Sequence, residues 1–211
     1  MKTNDLIRLL AQDAPVRMRL GRMLALALAI GIVVSFALLM STIGIRHNLA
    51  SAIETARVLF KILVTLVLAI AACNLVFRIG RPGAPLKASW WALLLPLGAL
   101  VVAVLWELAV VPEDAWRASM MGQHAAFCMF FIPVLSLAPL VGIMLALKNG
   151  APERPGVAGA AAGLAAGGIA AALYAWHCPD DSPLFVAAWY SIAIAIVTSV
   201  GALFGNRFLR W

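Results

Sequence analysis

Six apolar runs of roughly twenty residues each, separated by short polar connectors, leave this chain few ways to fold. They lie at residues 23–43, 58–77, 90–111, 125–147, 157–176 and 184–204. Each is long enough for a helix to cross the hydrocarbon of a bilayer, where a single segment satisfies its own backbone groups only as a helix. The expected fold is therefore all-α: a polytopic membrane protein built as one bundle of six transmembrane helices. A hydrophobic content of 64% with only 12% charged residues excludes an ordinary soluble domain. No cleavable signal peptide is expected, because about twenty residues of mixed polarity precede the first run and further runs follow it.

The basic residues orient the bundle. With the N-terminus inside, twelve of the sixteen lysines and arginines face the cytoplasm: Lys2, Arg8, Arg17, Arg19, Arg22, Arg78, Arg81, Lys87, Lys148, Arg154, Arg207 and Arg210. Arg46, Arg57, Lys61 and Arg117 remain outside, a strong positive-inside bias. Both termini are then cytoplasmic, with 1–22 an N-terminal cytoplasmic segment and 23–211 the transmembrane domain. The net charge of +7 accordingly reads as span-flanking residues rather than a nucleic-acid surface, so no direct nucleic-acid contact is expected.

This orientation turns scattered cysteines into a pattern. Of three, Cys128 lies just inside the outer end of run four and Cys178 just beyond the outer end of run five, whereas Cys73 lies near the inner end of run two. Two thiols can meet at the outer face and the third cannot join them. All three histidines, His47, His124 and His177, collect on the same side. The pair can serve as a permanent disulfide, as a dithiol–disulfide switch, or as soft ligands that hold a metal ion transiently. Spacing does not decide among these. His177 and His124 are auxiliary candidates for sensing or metal binding, and no resident cofactor is expected.

The surrounding residues read mainly as structure. In the connector His177-Cys178-Pro179-Asp180-Asp181-Ser182-Pro183, Ser182 is the expected N-cap of run six and Pro183 its first helical residue. Asp180 and Asp181 are placed near that helix's positive end. Glu107, the one acidic residue well inside an apolar run, is expected either to pair with Lys61 or to be hydrated near the interface. Gly159, Gly163 and Gly167 recur every fourth residue in run five, which points to close packing inside the bundle rather than to a homo-oligomer.

The opening Met1-Lys2-Thr3-Asn4-Asp5-Leu6-Ile7 resembles the NrsF family of proteobacterial inner-membrane anti-sigma factors. So do Cys128 with Ile132-Pro133, Leu137-Ala138-Pro139-Leu140, the whole connector 177–185, and Arg207-Phe208-Leu209-Arg210-Trp211. The resemblance covers essentially the whole chain. It implies a multi-pass bacterial inner-membrane protein, not an enzyme, that holds a cytosolic extracytoplasmic-function sigma factor. It further implies that the family's outer-face cysteines fall on Cys128 and Cys178, and that release follows heavy-metal or oxidative stress.

A cytosolic partner can touch only the inner surface. Residues 1–20 carry the one apolar stripe there, Leu6, Leu9 and Leu10, at helical spacing before Pro15. On its own the stripe reads as a helix lying on the membrane surface; with the resemblance, it is the expected partner contact. Two other function classes fit less well. A quinone-linked membrane thiol oxidoreductase would call for a dithiol motif, and no C-x-x-C is present; a small permease would call for more mid-membrane charge.

Overall fold

The computed structural model describes residues 19–81, 83–150 and 152–210. Leu6, Leu9, Leu10 and the helix expected before Pro15 lie outside the described residues. The elements are α1 (Leu20–Thr42), a single turn α2 (Leu49–Ala52), α3 (Ala56–Ile79), α4 (Lys87–Val110), α5 (Glu113–Met121), α6 (Ala125–Lys148), α7 (Pro155–Tyr174) and α8 (Pro183–Phe208). Among the described residues there is no strand, and six helices are long and apolar enough to cross a membrane. They coincide with the six runs, with ends displaced by a few residues. The polar connector between the third and fourth runs is in part a helix: α5 starts with Glu113 and Asp114 in its first turn, where carboxylates favour the positive end of a helix.

Helix α7 is the centre of the bundle. It packs most broadly on α8, then on α3 and α6, while α1 lies against α6. Its composition makes this possible. A Cβ built on Gly159 would collide with the carbonyl of Gly201, and one on Gly163 with the Val197 carbonyl and the Thr198 Cα, so α7 and α8 touch backbone to backbone. The glycine stripe thus faces a neighbour within the bundle. Helix α6 runs unbroken through Pro133 and Pro139, and Pro139 lies in the notch left by Gly31 of α1.

Helix α4 is the outlier. It packs chiefly on α3, and only Ser89, Pro96 and Glu107 along its length are buried. Large apolar side chains point outward from every long helix except α7, among them Ile30, Leu63, Leu95, Leu137 and Leu203. Such an apolar exterior suits lipid and not water.

Candidate functional site: a buried thiol pair under a charged connector

Cys178 sits four residues past the end of α7, and the chain continues the helical path to reach it. The amides of His177 and Cys178 both donate to the carbonyl of Tyr174, at 2.9 and 3.1 Å. Cys128 is in the first turn of α6, with its amide bonded to the His124 carbonyl at 3.0 Å. These two helix ends bring the sulfurs to 3.9 Å, both fully buried. Both thiols are free. Around them pack Phe185, Leu39, Ile132, Tyr174 and Tyr190.

The connector above the thiols is held by charged groups from several helices. Lys61 of α3, wholly buried, donates to the carbonyl of Cys178 at 2.7 Å, to that of Asp180 at 3.2 Å and to the Asp181 carboxylate at 2.5 Å. Arg46 reaches the same carboxylate at 3.0 Å. Asp180 turns the other way and accepts from the amides of Gln123 and His124, at 3.2 and 2.8 Å, which places its charge at the positive end of α6. Glu107 near the end of α4 accepts from the Ser182 hydroxyl at 2.9 Å and pairs with Arg57 at 3.4 Å. Buried charges persist only when partnered in this way.

Gly122 makes the crossing of these parts possible. Its φ of +55° falls in the left-handed region, and a Cβ there would strike the Phe185 ring and the Asp180 carboxyl.

Electrostatics favour the thiolate at Cys178. It is held below the ordinary thiol range, first by the hydrogen bond from Cys128 and then by the Lys61 charge, against the opposing effect of burial.

The structure brings Cys128 and Cys178 together and leaves Cys73 about 18 Å along α3 from Lys61, at 1.5 Å per residue. Ser182 caps α8 by accepting from the Leu184 amide at 3.2 Å. The aspartates, however, do not serve that helix: Asp180 holds the start of α6, and Asp181 is the counter-ion of Lys61. Glu107 therefore pairs with Arg57 and not with Lys61. Both auxiliary histidines are engaged elsewhere, His124 Nδ1 with Asp180 at 3.2 Å and His177 Nδ1 with the Gly44 carbonyl at 3.0 Å. His47 is exposed. Among the described residues no three His, Cys, Asp or Glu side chains converge as a metal-holding group.

No motif points to Tyr174 and Tyr190, yet both border the thiols. Their hydroxyls are buried without hydrogen-bond partners among the described residues, and their rings lie 6.0 Å apart. The available signal is rarity: they are the two tyrosines of the chain.

Known proteins resemble this chain along its whole length. The family described as "Negative regulator of sigma F" (NrsF) matches residues 10–211. A protein named "Probable anti-sigma-F factor NrsF" from Azospira oryzae is 32% identical over 218 residues, covering 100% of both chains. The "Anti-sigma-F factor NrsF" of Caulobacter vibrioides is 34% identical over 214 residues, again covering 100% of both. No solved structure matches the chain.

Proposed function

The chain belongs to the NrsF family of negative regulators of sigma F, and on that premise we propose that it is an anti-sigma factor of the bacterial inner membrane. The family consists of regulators and not enzymes. In this reading both termini are cytoplasmic, the thiol end faces the periplasm, and a cytosolic extracytoplasmic-function sigma factor is held at the opposite end. The single observation that supports the sensing role is the approach of two buried, free thiols to 3.9 Å beneath a connector bonded to α3, α4 and α6.

A signal acts on the pair in one of two ways. A peroxide takes two electrons and two protons from the thiols as the sulfur–sulfur bond forms, and its own oxygen–oxygen bond breaks to give two waters, or an alcohol and a water. A soft cation instead displaces the thiol protons and binds both sulfurs. Either event moves Cys178, and Lys61 and Asp180 pass that movement to α3 and α6. Those helices run to the far end of the bundle, where the partner is released.

Pull-down from detergent-solubilised membranes, followed by identification of soluble proteins that co-purify, tests the assignment. A sigma factor is the expected partner. Recovery without one, from cells that contain the cognate sigma factor, would contradict it.

A further inference from the structure

Glu107 has one carboxylate oxygen in use and one idle. Oε1 takes the Ser182 hydroxyl and Arg57, whereas Oε2 is buried with no partner among the described residues. The residue is 3% exposed and lines a groove of about 650 Å³ between α3 and α4. Beside it Arg57 is half-exposed and contacts the carboxylate at 3.4 Å. Glu107 and Arg57 both line this groove, so one end of it carries a carboxylate next to a lightly held cation.

The rest of the groove is apolar. Phe60, Gly98, Ala99, Val102, Ala103 and Trp106 form its wall, and the glycine and alanines make the depression. From Gly98 to Val110 it extends about 18 Å along α4, at 1.5 Å per residue. One leaflet of a hydrocarbon core about 30 Å thick is spanned by an acyl chain of about 15 Å. Glu107 lies about 5 Å from the end of α4, and Arg57 in the first turn of α3, so both sit at headgroup depth. Trp106, 73% exposed, stands at the same level, where indole favours the interface.

We propose that this groove is a binding site for a phosphatidylethanolamine lipid, with the ammonium on the Glu107 carboxylate, which turns to present its unpartnered oxygen, the phosphate on Arg57 and one acyl chain along α4. The headgroup carries a donor cation and an anion, one for each of the two side chains. A choline headgroup has no N–H to donate, and a glycerol headgroup brings no cation to the carboxylate. Ser182 joins Glu107 to the connector that bears Cys178, so the bound headgroup steadies the sensing end. The inference rests on the chain lying in a bilayer with this end at its surface, and on no other part of the proposed function.

The full-length protein extracted from membranes is purified, reconstituted separately with phosphatidylethanolamine, phosphatidylcholine and phosphatidylglycerol, and measured by native mass spectrometry for retained lipid. Phosphatidylethanolamine is expected to be retained about tenfold more than either other lipid, the effect of one charge-assisted hydrogen bond. Glu107→Gln should erase that preference. Ala103→Phe, which fills the groove and leaves Glu107 and Arg57 in place, should lower retention of all three. The wild-type comparison needs no variant, so a misfolded variant does not spare the proposal. Equal retention of the three lipids by wild type, or an undiminished preference in Glu107→Gln, would overturn it. A chain recovered from the soluble fraction would overturn the membrane reading itself.

Discussion

The ammonium of Lys61 donates to the main-chain carbonyl of Cys178 at 2.7 Å, across 117 residues of sequence. A buried lysine on one long apolar helix thereby holds the backbone of a candidate sensing cysteine on the connector after another. Its charge is balanced by Asp181, to which Arg46 also donates.

Replacing Lys61 with Met leaves two carbonyls and a carboxylate without their shared donor. Breaking a buried pair by removing one partner costs about 3 kcal/mol or more. Thermal unfolding in detergent should show this loss. An unchanged midpoint would mean that water replaces the ammonium and that the connector is held by other contacts.

The contact of α7 with α8 is tested by filling it. Gly163→Leu forces a side chain into the Val197 carbonyl and the Thr198 Cα, and overpacking of this kind costs about 1–3 kcal/mol. A methyl group at Gly98 meets nothing within 4 Å, so Gly98→Ala should leave folding unchanged. Recovery of monodisperse protein after size exclusion separates the two. Equal recovery of both would show that the helices part freely.

The reactivity of Cys178 should depend on pH in a particular way. A lowered pKa means that its thiolate persists below the pH at which a free cysteine is protonated, and is lost only as pH falls through the lowered value. Alkylation by a small uncharged reagent, in a Cys73→Ala background and read by mass spectrometry, should therefore reach half-rate at Cys178 at a lower pH than for free cysteine. Lys61→Met should move that midpoint upward. A midpoint at or above that of free cysteine would contradict the assigned electrostatics.

Much of this architecture is legible in the sequence because lipid leaves a chain few options. Run length alone predicts six helices, and charge at the run ends places Cys128 and Cys178 at one depth. The small residues of 157–176 announce a helix that others can approach. What sequence does not carry is the pairing of side chains far apart along the chain. Glu107 and Lys61 are at similar depth, so each reads as the other's partner. Their true partners, Arg57 and Asp181, depend on which helix faces which. Asp180 precedes α8 in sequence and yet serves α6, because the connector folds back over the start of that helix.

We propose the N-terminal leucines as the docking contact. If Leu6, Leu9 and Leu10 form the apolar stripe that fills a groove on the partner, changing all three to serine should free the sigma factor without stress, with membrane levels unchanged. Fractionation followed by immunoblotting for both proteins gives the answer. A triple variant that still retains its partner would move the docking surface to the basic loops around Arg78, Arg81 and Arg154.

The proposed control of release by the thiol pair, from the opposite end of the bundle, can be read in one quantity. It is the amount of sigma factor that stays with the membrane fraction before and after a thiol oxidant or soft metal, in wild type, Cys128→Ser and Cys178→Ser. Wild type should lose the sigma factor on treatment, while both variants, inserted at normal levels, should retain it in either condition. Release from a cysteine variant to the same extent as from wild type would contradict that control.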